Sequence, residues 1–470
     1  MENGQTVSKQ TKKLLPGILA TAIFMQMLDS TILNTSLSAI AADLGESPLH
    51  MQNAIISYVL TLAIFMPASG YLADKFGTKK IFILAISLFV LGSILSALSY
   101  SLNQLVFARI IQGLGGAILT PVGRLALLKT FEKNELLKAF NYAVIPALIG
   151  PVLGPLFGGY LVDYLSWHWI FLINIPIGLL GIILAIKHMP DYTSKESYFD
   201  LRGFLIFGAA SLLLSIALEL LGTSAKTTPL LLMFFLGFLM FYFYFKHARK
   251  KDHPLFPLNL FQIRTFRIGI VGNLFTRLGI SAIPLLVPLV IQVAYGQSAV
   301  ISGWIVAPMA LTAMFGKSAV LKILDRVGYK KTLRINTIII GLLIMLLAIP
   351  GEQDAIWWFI PIIALLGFFN SIQFTSMNTI SLADLRTYHE SSGNSLLAVN
   401  QQLAIGFGIG FGLLILRIFE TKAEVNGESI HQAFRYTFLV MGGVTMIMGS
   451  IFRGLHPFDG NNLRQRESEG

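Results

Sequence analysis

The chain has 470 residues, 54% of them hydrophobic and 13% charged, with a mean hydropathy of +0.70. A soluble domain carries about 25% charged residues, so this chain cannot cover a water-facing surface of its own size; a soluble enzyme, a disordered chain and a coiled coil are excluded, and a polytopic membrane protein remains. The net charge of +11 sits in short gaps between apolar runs, which fits cytoplasmic loops and argues against nucleic acid as a partner, and the absence of cysteine excludes disulfides, thiol catalysis and cysteine metal sites.

In chain order, Met1 to Lys13 is polar and basic. The run behind it, about 14–40, is span-length and lacks a small-x-small cleavage site, so it reads as a retained first span. The following apolar windows are 51–72, 80–99, 104–127, 138–163, 169–188, 201–221, 229–247, 268–293, 300–321, 333–350, 357–380, 393–417 and 433–453. That makes about fourteen spans and puts both termini on one face. With the termini and the loops 73–80, 128–138, 187–202, 246–267, 322–334 and 384–392 inside, about 27 of the 35 Lys and Arg fall on the cytoplasmic side.

Two inside loops repeat. Asp74-Lys75-Phe76-Gly77-Thr78-Lys79-Lys80 aligns with Asp325-Arg326-Val327-Gly328-Tyr329-Lys330-Lys331. The match implies parallel repeats, six spans before and six after a central pair. The expected domains are therefore 1–188, a six-helix bundle; 189–258, a linker with two extra spans; and 259–470, a second bundle. Gly77 and Gly328 permit a tight turn, and Asp74 and Asp325 can pair with a helix end or an Arg. A latch between halves and a plain loop cap are both open readings.

Several motifs resemble the major facilitator superfamily. Gly70-Tyr71-Leu72-Ala73-Asp74-Lys75-Phe76-Gly77 resembles its signature loop, Arg109-Ile110-Ile111-Gln112-Gly113 its fourth-helix exporter motif, and Gly150-Pro151-Val152-Leu153-Gly154-Pro155-Leu156-Phe157-Gly158 its fifth-helix antiporter motif. Leu28-Asp29-Ser30-Thr31-Ile32-Leu33-Asn34 and Trp167-His168-Trp169-Ile170-Phe171-Leu172-Ile173-Asn174-Ile175-Pro176 resemble the fourteen-span drug:proton antiporters of the EmrB/QacA type. Pro121-Val122-Gly123-Arg124 and Ser391-Ser392-Gly393-Asn394 are similar to its MdtD branch. The resemblance implies an all-α major facilitator fold, two six-helix bundles plus two central helices, and proton-coupled multidrug-type efflux by alternating access across the bacterial inner membrane.

Ionisable groups deep in a span are functional candidates. Asp29 lies roughly 22 Å from the inner edge at about 1.5 Å per residue, and Arg109 roughly 8 Å from the outer edge. In a core of about 30 Å the two depths coincide, so a pair is within reach. Burial opposes charge on the carboxyl and Arg109 supports it; proton coupling and a permanent salt bridge are the competing readings. Arg277 falls near mid-depth, and Asn273, Arg277 and Ser281 share one helical face. Gln26, Asn34, Gln112, Asn370, Gln373, Asn400 and Gln401, with Phe368, Phe369 and Phe374, could line a cavity or simply bond between helices. Gly150, Gly154 and Gly158, with Pro151 and Pro155, could seal the halves or only pack.

Gly316-Lys317-Ser318 has Leu311 where a Walker loop needs Gly, and no paired histidines suggest a metal, so no cofactor is expected and the drive should be a proton gradient. The expected partners are a small-molecule substrate, protons and lipid, with no obligate protein partner evident. Two deep cations against one deep acid raise an alternative cargo, an endogenous anionic metabolite or metal chelate.

Overall fold

The computed structural model describes residues 9–194, 198–221, 227–386 and 390–461. Residues 1–8 of the expected basic N-terminus and part of the expected 384–392 loop lie outside them. The chain forms two compact units, Met1–Phe199 and Asp200–Gly470. The described residues are helical with short connections, as a bilayer requires of backbone that cannot bond to water.

The first unit holds α1 (Lys9–Ile32), α2 (Leu37–Leu44), α3 (Gln52–Phe65), α4 (Ala68–Phe76), α5 (Thr78–Ala97), α6 (Leu102–Thr130), α7 (Lys133–Ala147), α8 (Gly150–Tyr164), α9 (Trp169–Leu172) and α10 (Asn174–His188). The second holds α11 (Leu201–Leu220), α12 (Thr227–Ala248), α13 (Arg264–Ile280), α14 (Ile283–Leu289), α15 (Ala299–Val327), α16 (Tyr329–Leu346), α17 (Phe359–Leu382), α18 (Glu390–Asn426) and α19 (Ile430–Met448). The central pair, α11 and α12, belongs to the second unit, where α11 packs on α18.

Among the described residues eleven helices are long and apolar enough to cross a membrane, or twelve if α3 and α4, bent by 58°, form one span. The two remaining expected spans fall on α7 with α8 and on α16, whose first turns carry Lys330, Lys331 and Arg334. Several expected spans are interrupted for local reasons. Pro67 stands at the α3–α4 bend, and Pro151 opens α8, where its missing N–H costs nothing. The first span ends its α-helix at Ile32: Thr35 and Ser36 hydroxyls both donate to the Ile32 carbonyl, at 3.2 and 3.0 Å, and a 3₁₀ turn, Leu33–Thr35, follows.

Both repeated loops turn through glycine at positive φ, 101° at Gly77 and 78° at Gly328, so the sequence repeat is also a backbone repeat. At Gly77 a Cβ would sit 2.1 Å from Asp191 Oδ1. Asp191 belongs to the segment that runs beneath this loop after α10: Thr78 N–H donates to the Tyr192 carbonyl at 3.1 Å, Ser194 N–H to the Asp74 carbonyl at 2.8 Å, and Lys79 N–H to Asp191 Oδ1 at 3.1 Å.

The glycine ladders bring helices together inside each unit. A Cβ on Gly154 would lie 2.0 Å from Thr31 Oγ1, and one on Gly158 2.5 Å from the Ile32 carbonyl oxygen, so α8 rests directly on α1 beside Asp29. In the second unit a Cβ on Gly408 would lie 2.5 Å from the Arg277 carbonyl oxygen, so α18 rests on α13.

Candidate functional site

In the first unit α1, α5, α6 and α10 converge on the Asp29 carboxylate. Asp29 and Arg109 are each 1% exposed. Arg109 Nη1 donates to Asp29 Oδ2 at 2.7 Å and to Gln112 Oε1 at 2.6 Å. Gln112 Nε2 donates to Asp29 Oδ1 at 2.7 Å and to Ser93 Oγ at 2.9 Å. Asn174 Nδ2 donates to the same Asp29 oxygen at 3.0 Å and to Ser93 at 3.3 Å. Arg109 Nε donates to the Ala54 carbonyl at 3.2 Å, and its guanidinium lies 4.2 Å from the Tyr58 ring centre.

This is how a buried charge pair survives: both ions are inside, and fixed dipoles supply what water would have supplied. Arg109, Gln112 and Asn174 together give this one carboxyl three donors. The local sequence explains the placement. Arg109 and Gln112 are three apart on α6 and share a face. Asn174 is brought in because α10 starts there, after the break at Ile173 that follows α9.

Gln26 is buried one turn away on α1, with its Oε1 accepting from Thr120 at 2.7 Å; Asn34 lies in the 3₁₀ turn. Asn174, Ser93 and Tyr58 escaped the sequence reasoning. Asn174 stands in a motif quoted only for its resemblance. Its depth, about five residues into the 169–188 window and so roughly 8 Å, equals that of Arg109 and was a usable signal.

The second unit presents Arg277 very differently. Its Nε donates to Asn273 Oδ1 at 2.7 Å and its guanidinium lies 5.0 Å from the Phe374 ring centre. Among the described residues no carboxylate lies within ion-pair distance of it. Arg277, Asn370, Gln373 and Phe374 line a narrow cavity of about 10 Å³, room for roughly one water. Gln373 is tied to Asn336 and Thr337, Asn400 Nδ2 to the Ile270 carbonyl and Gln401 to Asn378, so these three amides bond between or along helices.

Of the switch residues, Asp74 pairs with Lys129 of α6 at 2.8 Å, Gly70 is exposed on α4 and Asp325 is exposed near the end of α15. Gly150, Pro151, Gly154, Pro155 and Gly158 form the α8 surface, its glycines lying against α1.

The matching family model is described as Major Facilitator Superfamily and covers residues 19–409 and 269–469. A protein of Pectobacterium carotovorum named "Putative multidrug resistance protein MdtD" is 41% identical over 93% of this chain and 94% of its own. A Haemophilus influenzae protein named "Probable transport protein HsrA" is 39% identical over 98% and 99%. In fold alone, the chain resembles a bacterial homologue of the lysosomal transporter Spinster (TM-score 0.67, 13% identity, 97% and 98% covered) and the peptide transporter POT (0.69, 14%, 96% and 95%). Matched along nearly its whole length, the chain is a multi-pass membrane transporter rather than an enzyme, and it belongs to the Major Facilitator Superfamily, beside its MdtD branch.

Proposed function

We propose that the protein is a proton-coupled antiporter that exports small molecules by alternating access, in the manner the names of its MdtD relatives suggest for drugs. The observation that carries this is the Asp29 network: a carboxylate 1% exposed, on the first helix, held by Arg109, Gln112 and Asn174. A fully paired acid can serve as a carrier only if a change of conformation alters its partners. Asp29 takes up a proton when its site opens outward and gives it up inward, with Arg109 drawing the carboxyl back to its charged form. The repeated loops at Gly77 and Gly328, with Asp74 and Asp325, and the glycine surface of α8 are the moving joints. The protein lies in the bacterial inner membrane with both termini cytoplasmic, as the distribution of Lys and Arg supports. The test is Asp29→Asn in proteoliposomes with an imposed pH gradient. Proton-driven flux should vanish while gradient-free exchange of substrate persists, and unimpaired proton-driven flux would refute the coupling.

A second reading concerns the cargo, and one observation favours it. Arg277 has an amide and an aromatic face as partners but no carboxylate among the described residues. A deep cation without a counter-ion suits an anionic metabolite or a metal chelate. Loss of anion export with cation export intact in Arg277→Ala supports it; equal loss of both argues for a drug-type cargo.

A further inference from the structure

Asn174 is completely buried, and its two amide ends are unequal. Nδ2 donates to Asp29 and to Ser93, while Oδ1 is buried with no hydrogen-bond partner. Gln112, the other amide of the network, has both ends occupied, its oxygen by Arg109 and its nitrogen by Asp29 and Ser93. An ionised carboxylate asks its surroundings only for donors, whereas a protonated one carries an O–H that needs an acceptor. Asn174 Oδ1 is the idle acceptor among the amides of this network, and it belongs to the side chain already touching the oxygen concerned. A buried acceptor left empty is costly enough to call for a reason.

We propose that Asn174 is the positioning residue for the proton on Asp29, serving both charge states of the carboxyl through a half-turn of one amide. With Asp29 ionised, Nδ2–H faces its Oδ1, as found. When a proton arrives from the aqueous phase to which the site is then open, an O–H forms on the carboxyl. The amide turns, and Oδ1 accepts that O–H while Nδ2 leaves it; no other covalent bond changes. Release reverses the step and returns the proton to water on the other side. Arg109 keeps its charge throughout and remains bonded to Gln112. The ionisable groups facing Asp29 are Arg109 on α6 and Tyr58 on α3. Those of α5, α8 and α10 lie toward the ends of their helices, at Lys79 and Lys80, at Tyr160, Asp163 and Tyr164, and at Lys187 and His188, and those of α7 include Glu135, paired with Lys12. The break at Ile173 sets Asn174 at a helix start, where Pro176 leaves its first turn without one amide donor.

This inference rests on Asp29 being the proton carrier, so its test is an equilibrium one that needs no transport. Infrared difference spectra of the purified protein are recorded across a pH series, with Asp29→Asn identifying the Asp29 band. If wild type shows no Asp29 band at any pH, the coupling reading itself falls. Given a band, Asn174→Leu, which keeps the shape and loses both amide ends, should move its midpoint up by roughly one pH unit, since the bond to the charged form is the stronger of the two lost. The protonated C=O stretch should also shift to higher frequency. Asn174→Gln, which retains an amide, should restore much of both. A residue that merely fills space would move neither quantity, and unchanged midpoint and frequency in Asn174→Leu overturn the proposal. Should that variant fail to fold, wild type still decides: the acid-minus-alkaline spectrum must contain a side-chain amide change that disappears in Asp29→Asn, and its absence overturns the proposal too.

Discussion

The two units share the glycine turn of their repeated loops and differ in charge. Each begins its bundle with a helix onto which a glycine-bearing helix is pressed, α8 onto α1 and α18 onto α13. On α1 the charge is the buried Asp29, answered by an arginine and two amides; on α13 it is the half-buried Arg277, answered by one amide and an aromatic face. Both Asp29 oxygens have donors, whereas Arg277 makes a single side-chain hydrogen bond among the described residues.

The largest test of that contrast is to remove the arginine from each. Arg109→Leu leaves the Asp29 carboxylate buried without its countercharge, and breaking a buried pair from one side costs about 3–5 kcal/mol. Thermal unfolding in detergent should show it, and the double variant Arg109→Leu with Asp29→Leu should recover much of the loss because no lone charge remains. If the single variant is as stable as wild type, the ion pair does not help hold the first unit together. Next come the glycines that seat the charged helices. A Cβ on Gly154 meets Thr31 Oγ1 at 2.0 Å and one on Gly408 meets the Arg277 carbonyl at 2.5 Å, so Gly154→Val and Gly408→Val should each lower stability by about 1–3 kcal/mol through overpacking. The first should also disturb Asp29 titration and the second should leave it alone, which separates the two sites by a single spectroscopic measurement.

Arg277→Ala belongs lower on the scale. It removes one charge-assisted hydrogen bond, about 1.5–3 kcal/mol, and a ring contact, about 0.5–2 kcal/mol, but it also removes the cost of desolvating a cation that has no carboxylate partner among the described residues, and the two largely offset. The expected outcome is a nearly normal unfolding temperature with a selective loss of anion flux. A stability loss as large as that of Arg109→Leu would mean that Arg277 holds the second unit together.

How much of this was legible beforehand follows from the same contrast. Depth arithmetic works for straight helices, so Asp29 and Arg109 could be matched from two window boundaries. Applied to Asn174 and Ser93 it gives the same level, roughly 8–9 Å from the outer edge; what hid them was that one polar residue in an apolar span looks like ordinary interhelical bonding. The partners of Arg277 were legible by a different rule, since Asn273 is one helical turn away on the same face. The bend of the fifth span was legible from Pro151 and Pro155, but the interruptions at Ile32 and Pro67 were not, because window averages of hydropathy are insensitive to hydroxyls and prolines that redirect backbone bonds locally. Nor does composition reveal that the segment after α10 runs beneath the Gly77 loop, a contact made by main-chain groups and one carboxylate.

The smallest expected effect lies in the second unit, at the entry to α11. Asp200 caps that helix, accepting from Gly203 N–H at 3.0 Å, from Leu255 N–H at 3.2 Å and bonding His247 of α12 at 2.8 Å. Burial pushes its carboxyl up, but the Gly203 amide, His247 and the Leu255 amide outweigh that and hold it below the usual aspartate range. A carboxyl lowered by folding stabilises fully above its unfolded value, about 3.9, and the contribution drains away as pH falls through the folded value. Capping aspartates contribute about 1 kcal/mol. Hydrogen exchange along α11 and α12 should therefore be flat near neutrality and accelerate only in strong acid, beyond the intrinsic pH dependence of exchange. Asp200→Ala should show the faster exchange at every pH and lose the acid transition, while Asp29 titration in the first unit stays where it was. An acid transition that survives in Asp200→Ala would assign the sensitivity to another group and leave the cap with a packing role alone.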